Sequence, residues 1–311
     1  MNADVIIPTY KPDIKFFTLI ARLLRQTVRP HRIIIMNTDE EKWDLSGAED
    51  KLIESGASSL CEVHHIAKKD FDHGHTRNTG VSYSDAPFFV MMTQDAIPQN
   101  DTMIEALLSP MNDEIKMTYA RQIPDRGANA IERFSRYFNY PEESRTKTEA
   151  DAISLGIKTY FASNVCAAYD RAAFDSLGGF PDRAIFNEDM VYAGKLLKSG
   201  KALRYCASAV VYHSHSYTAS QQIRRNFDLA VSQKDNPEIF AGIKSEKEGK
   251  KLVQTTAEWL KKQGEGREIP KLYWISGCKY LGYCLGRNYR KLPGWLVKKL
   301  SMNKTYWEKR K

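Results

Sequence analysis

Short apolar runs alternate with helical spacings through the first half of this chain. Val5-Ile6-Ile7 reads as a buried strand. Phe16, Leu19, Ile20, Leu23 and Leu24 recur at helical spacing and predict a helix over 14–27. Ile33-Ile34-Ile35-Met36 is a second buried strand, followed by a helix over 46–56 and a strand over Glu62–Ala67. Phe88–Thr93 and Met117–Arg121 are further strands. Runs that are apolar on both faces and alternate with helices predict an α/β fold: a Rossmann-like, mostly parallel sheet with flanking helices.

In such a sheet the ligand lies beyond the carboxyl ends of the strands. Pro8-Thr9-Tyr10, Asn37-Thr38-Asp39 and Thr93-Gln94-Asp95 follow three of these strands and are expected on one edge. Beyond them, Pro124-Asp125-Arg126-Gly127 is a turn and the polar stretch 141–149 a loop. Val165–Tyr169 reads as a strand, and Arg171–Leu177 as a short helix closed by Gly178-Gly179. Asn187 is placed to cap a helix reaching Ser199, with Gly200 ending it. Ala209–Tyr212 is a strand leading into His213-Ser214-His215, and the chain turns helical after Tyr217.

Charge divides the chain in two. The net charge is +8 over 311 residues. From Lys251 onward there are 15 Lys and Arg against 4 Asp and Glu, a net of +11; residues 1–250 carry 31 and 34, a net of −3. The basicity therefore belongs to the tail. Two segments are expected, 1–230 as catalytic domain and 231–311 as a basic, aromatic-rich helical extension. Five cysteines, odd in number and without a CxxC pair, argue against a disulfide framework or a structural zinc. No apolar run approaches the roughly 20 residues that span a bilayer, and the opening residues lack a signal-peptide pattern. The expected location is cytoplasmic.

Four groups carry candidate chemistry, each with a plainer alternative. Asp95 ends an apolar strand, where a carboxylate suits Mg²⁺ or Mn²⁺ at a diphosphate, or caps a turn. Glu188 and Asp189 open a helix, where acids favour the dipole or one serves as general base. Asp72 to Asn78 joins Gly74 to a helix start and Arg77, a setting for phosphate or a polar loop with a capping Thr76. His213 and His215 alternate at a strand end, as metal ligands, phosphate donors or structural histidines.

Together these residues resemble a known group. Val5-Ile6-Ile7-Pro8-Thr9-Tyr10, Thr93-Gln94-Asp95-Ala96 and Asn187-Glu188-Asp189 are similar in order and spacing to family 2 glycosyltransferases of GT-A fold. Phe71 to Asn78, the Gln94-Asp95-Ala96 triplet and His213 to Thr218 resemble the bacterial rhamnosyltransferase branch. The resemblance covers residues 3–230. It implies that Pro8, Thr9, Tyr10, Asp39, Arg77 and Gln94 bind the donor. It further implies that Asp95 and His213 hold a divalent metal (Mn or Mg), and that Asp189, with Glu188 beside it, is the catalytic base. One departure stands out: Thr93 occupies the first position of the usual aspartate pair.

The implied reaction is a single inverting displacement. L-rhamnose would pass from dTDP-β-L-rhamnose to a lipid-linked cell-surface polysaccharide acceptor, of cell-wall or O-antigen type. A UDP-sugar is the alternative donor. The tail, with Tyr273, Trp274, Tyr280, Tyr283, Tyr289, Trp295 and Trp307 among Lys279, Arg287, Arg290, Lys291, Lys298 and Lys299, suits an anionic membrane surface at the inner face of the cell membrane. The plainer alternative is a solvated helical pair packed on the catalytic domain or on another subunit; a homodimer contact is compatible with the membrane surface. A nucleic-acid-binding module would use the same cations and aromatics. The motif set, however, lies in the acidic body, so no nucleic-acid partner is expected. A sugar nucleotidyltransferase would carry a Gly-rich loop where Pro8-Thr9-Tyr10-Lys11-Pro12 stands.

Overall fold

The computed structural model describes residues 2–215, 217–242 and 245–308. Ser216, within the His213 to Thr218 motif, and the last three residues of the basic tail lie outside them. Among the described residues nine strands form one sheet: β1 (Ala3–Thr9), β2 (Ile33–Thr38), β3 (Cys61–Ile66), β4 (Phe88–Met92), β5 (Ile97–Pro98), β6 (Ile115–Ile123), β7 (Arg145–Lys147), β8 (Cys166–Asp170) and β9 (Ala202–Tyr212). Their order is β3-β2-β1-β4-β8-β6-β9-β5, with β7 also on β9.

The half expected from the first apolar runs, β3-β2-β1-β4, is parallel throughout. The other half is mixed: β8 is antiparallel to both β4 and β6, while β6 and β9 are parallel. Parallel strands buried on both faces read as continuous apolar runs. The β8 reversal sits between two such runs, and periodicity does not encode strand direction.

Helices cover both faces. Phe16, Leu19, Ile20 and Leu23 of the helix Ile14–Leu23 pack on one face with Met103, Ile104 and Leu107. Val191, Tyr192 and Leu196 of the helix Glu188–Lys198 pack on the other. The helix expected over 46–56 is found as Ala48–Glu54, and a short helix not expected, Glu40–Asp44, precedes it, with Gly47 between them at φ 60°.

The helix Ala219–Asp235 runs unbroken through position 230, where the two segments were expected to meet. It packs against the helix Ile269–Arg287 at unusually close range. A Cβ on Gly282 would lie 2.1 Å from the Ile223 carbonyl oxygen, and one on Gly286 2.3 Å from that of Phe227. Any side chain at these glycines would force the helices apart. Among the described residues no helix is long and apolar enough to cross a membrane.

Candidate active site

Register decides which side chains share an edge. Thr9 of β1 aligns with Asn37 of β2, and Thr38 of β2 with Ile66 of β3, so these strands finish level. Gln122 and Ile123 of β6 align with Val211 and Tyr212 of β9, which puts His213 at the same edge. The β5 strand pairs Ile97 with Tyr212 and brings Asp95 to that corner. Because β8 runs antiparallel to β4, its start carries Asn164 to this edge as well.

Asp95, His213 and His215 converge. His213 Nε2 is 3.6 Å from Asp95 Oδ1, and His215 Nε2 is 3.6 Å from Asp95 Oδ2. The three are a set whose ligand atoms could hold a metal ion. The orientation of His213 shows what the set fits. Gln122 Oε1 accepts from the Arg136 guanidinium, which can only donate, so that atom is an acceptor. His213 Nδ1, 3.0 Å away, must therefore carry the proton. Burial, reinforced by Arg136 and His215, holds this imidazole well below its ordinary pKa, so it is neutral. Its Nε2 then presents a lone pair, buried and without a hydrogen-bond partner among the described residues, towards a carboxylate. Lone pairs facing each other at this range repel, and a divalent cation between them removes the conflict. A donor bond to the far ring nitrogen is the usual support of a metal-binding histidine. The residues fit the metal that the resemblance implies.

The carboxylate pair sits behind this corner. Asn187, at the helix start, adopts φ 61° and makes no side-chain cap, contrary to its expected role. Asp189 is instead held by two backbone N–H groups, Asn164 to Oδ2 at 2.9 Å and Met190 to Oδ1 at 2.7 Å. Each oxygen keeps a free lone pair. Burial and then the charge of Glu188 push the Asp189 carboxyl up to about 7. Burial also acts against ionised Glu188, but Arg77, His73 and the Asn164 amide outweigh it and bring its pKa below the ordinary value. Environments that push two neighbouring carboxyls apart are how acid and base roles are assigned.

Arg77 is where the structure departs most from expectation. Read as a diphosphate contact, it is buried, donates to the His73 carbonyl at 2.8 Å and pairs with Glu188 at 3.4 Å. The helix His73–Ser82 also offers no open N-terminus for phosphate. Asp72 Oδ1 accepts there from the N–H groups of Gly74, His75 and Ala184. Gly74 does permit a close approach, but to this chain: a Cβ would lie 1.7 Å from the Pro181 carbonyl oxygen.

On the β1 side, the Gln94 amide closes a two-bond clasp on the Tyr10 backbone. Oε1 accepts from Tyr10 N at 2.7 Å and Nε2 donates to Tyr10 O at 3.1 Å. Tyr10 is thereby pinned with its ring partly exposed, and the ammonium groups of Lys11 and Lys68 lie 5.4 and 5.7 Å from its centroid. Pro8 is half-buried in β1; Thr9 is buried and turns its hydroxyl onto Ile7 O at 3.2 Å. Asp39 stands after β2 with φ 73° and no side-chain cap bond. Among the described residues only Lys11, Asp39 and Asn187 are non-glycines at positive φ, and all three border this edge. Such strain costs about 1–3 kcal/mol per residue and gathers at functional sites.

Sequence reasoning missed Gln122, Asn164 and Arg136, which orient His213 and Asp189. Gln122 and Asn164 border apolar strand runs, whereas Arg136 lies within a helix and carries no local signal. His215 was recognised as a partner of His213 but not assigned to the metal set.

The matches with known proteins agree with this geometry. Two Salmonella relatives align along nearly the whole chain. The O-antigen chain rhamnosyltransferase RfbN of Salmonella typhimurium is 36% identical over 99% of this chain and 96% of its own length. The O-antigen chain rhamnosyltransferase WbaN of Salmonella anatum is 35% identical over 97% and 95%. Among solved structures, the mannosyltransferase PcManGT of Pyrobaculum calidifontis, in complex with GDP-Man and Mn²⁺, superposes with TM-score 0.60 at 12% identity, covering 94% of this chain and 88% of that one. TarS 1-349 of S. aureus, in complex with UDP-GlcNAc, gives 0.52 at 14% identity, covering 94% and 92%. These two share the fold. The profile of Glycosyl transferase family 2 matches residues 4–178, more than half of the chain, and with the two Salmonella relatives it establishes that this chain belongs to glycosyl transferase family 2.

Proposed function

We propose that this glycosyltransferase transfers L-rhamnose, with inversion, from dTDP-β-L-rhamnose to a lipid-linked saccharide of O-antigen or related cell-surface type. The observation that carries the chemistry is Asp189: a carboxylate fixed by two backbone N–H groups, with its pKa pushed up to about 7. The names of the Salmonella relatives support the choice of sugar and acceptor.

The residues take the following parts. Ionised Asp189 accepts the proton of an acceptor hydroxyl as that oxygen bonds to the anomeric carbon. The bond from this carbon to the diphosphate oxygen breaks, and the configuration inverts. Glu188 stays ionised against Arg77 and sets the proton affinity of Asp189; Arg77 is thus a positioning residue. Tyr10, held by Gln94, and Asp39 border the nucleotide, with Pro8 and Thr9 shaping the β1 turn. Asp95, His213 and His215 would hold a divalent cation, and two imidazoles in the set favour Mn²⁺ over Mg²⁺. When bound, the cation supplies positive charge at the leaving diphosphate.

The tail also divides. Tyr283 and Tyr289 are buried, whereas Tyr273, Trp274, Tyr280 and Trp295 are exposed near Lys271, Arg287, Lys298 and Lys299. Amphipathic helices of this composition rest on anionic bilayers, and this face is assigned to the inner surface of the cell membrane.

A panel of nucleotide sugars with Mn²⁺, read by donor hydrolysis and thermal shift, tests the donor. A response to dTDP-rhamnose is expected; a response to a UDP-sugar alone would overturn the rhamnosyl assignment. Flotation with phosphatidylglycerol vesicles tests the surface. Binding that persists unchanged when Trp274 and Trp295 become serine would remove it.

A further inference from the structure

Arg77 is engaged by Glu188, which leaves other side-chain cations of the chain to be considered for phosphate contacts. Two candidates lie beyond residue 178, where the family profile ends, and both come from the C-terminal helical pair. Arg225 and Lys279 are each half-buried, and neither has a hydrogen bond or an ion pair among the described residues.

Arg225 is held by rings rather than by acids. Its guanidinium carbon lies 4.5 Å from the Phe186 centroid and 5.3 Å from that of Tyr217. The Tyr217 ring is 5.3 Å from His215, which is 4.5 Å from His213 and 3.6 Å from Asp95. Phe186 lies just ahead of Glu188 and Asp189. Arg225 therefore stands between the metal set and the carboxylate pair. Stacking orients a guanidinium while leaving its edge donors free.

Lys279 belongs to the 269–287 helix, one turn ahead of Gly282, whose contact with Ile223 seats that turn against the 219–235 helix near Arg225. Burial and then Arg225 lower its pKa. The nearby acids are otherwise engaged. Glu132 accepts from the His215 N–H at 2.9 Å, and Asp228 from the Met302 N–H at 2.8 Å. Both carboxylates act on the pair from a distance, but neither forms an ion pair with it, and two half-buried cations side by side gain from an anion that contacts them directly.

We propose that Arg225 and Lys279 form an anion subsite beside Asp95, His213 and His215 that receives a phosphoryl group of a substrate. The C-terminal helical pair thereby completes the active site rather than merely flanking it. Only the source of the phosphoryl group, donor diphosphate or lipid-linked acceptor, rests on the proposed transfer reaction.

The test titrates the full chain with inorganic pyrophosphate by calorimetry, wild type beside the double variant R225Q/K279Q. A loss of affinity of at least about tenfold is expected, because charge-assisted bonds to phosphate are strong. R225K, which keeps the charge but lacks the stacked fork, is expected to lose less and serves if the double variant fails to fold. An equal loss for dTDP assigns the subsite to the donor. An unchanged dTDP affinity, with KM raised for a diphosphate-linked acceptor but not for a phosphate-free saccharide, assigns it to the acceptor. Pyrophosphate affinity and both KM values equal to wild type would overturn the subsite. If the wild type transfers from no nucleotide sugar yet the variant loses pyrophosphate, the reaction fails and the subsite stands.

Discussion

The two ends of the sheet hold clusters of the same residue types with opposite outcomes. At the amino end of β1, Asp4 is fully buried beside His31 and Asp85, a second set that could geometrically hold a metal. There both oxygens of Asp4 meet partners. Asp4 Oδ2 accepts from Ser84 at 2.7 Å and from Arg32 at 3.3 Å, and Oδ1 lies 3.3 Å from His31 Nδ1. Arg32 also reaches Asp85 at 2.6 Å and Glu62 at 3.4 Å, so a guanidinium already fills the place a cation would take. At the carboxyl end, Asp95 faces two imidazole nitrogens and no hydrogen bond to its carboxylate is found among the described residues. Carboxylates and histidines do not define a site by themselves; a mismatch between donors and acceptors does.

The sharpest way to break this contrast is to remove the carboxyl-end chemistry. Asp189→Asn is expected to lower kcat by about 10³-fold, within the range for loss of a general base, while donor binding persists; an initial-rate assay with parallel dTDP titration decides it. Asp95→Asn should weaken Mn²⁺ binding beyond calorimetric detection, whereas Asp4→Asn should leave it unchanged. Equal effects would erase the distinction between the two ends. Gln122→Leu removes the acceptor that orients His213 and should cost about 10-fold to 100-fold in Mn²⁺ affinity. Gln122→Glu, which still accepts from Nδ1–H, should retain most of it.

The pH dependence sharpens the same point. Asp189 must be ionised to accept a proton. With its pKa pushed up to about 7, kcat/KM should fall roughly tenfold per unit as pH drops below that value. A limb near pH 4 would show that Glu188 and burial do not raise it. The smallest effect belongs to the amino end. Asp4→Asn should lower stability by about 2 kcal/mol in urea unfolding, because Arg32 keeps its other two carboxylates.

Legibility along the chain followed locality. β1, β2 and β4 announce themselves as apolar runs, so the parallel half of the sheet and the edge bearing Tyr10, Asp39 and Asp95 could be read directly. The antiparallel β8 was visible as a strand but not as a reversal. Arg77 was misplaced because its sequence neighbours, Gly74 and Thr76, suggest a phosphate turn. Its actual partner Glu188 is more than a hundred residues away.

The sequence by itself determined the family, the alternation of strand and helix, and which side chains were chemically able to act, because periodicity and motif order are local properties. Tertiary structure alone decided which of them act together. The β6–β9 register carries Gln122 to His213, and β8 carries Asn164 to Asp189. The packing of two C-terminal helices at Gly282 and Gly286 brings Arg225 and Lys279 near His215 and Tyr217 without a direct ion pair among the described residues. The physical reason is that charge satisfaction depends on distances of a few ångströms between residues far apart in the chain.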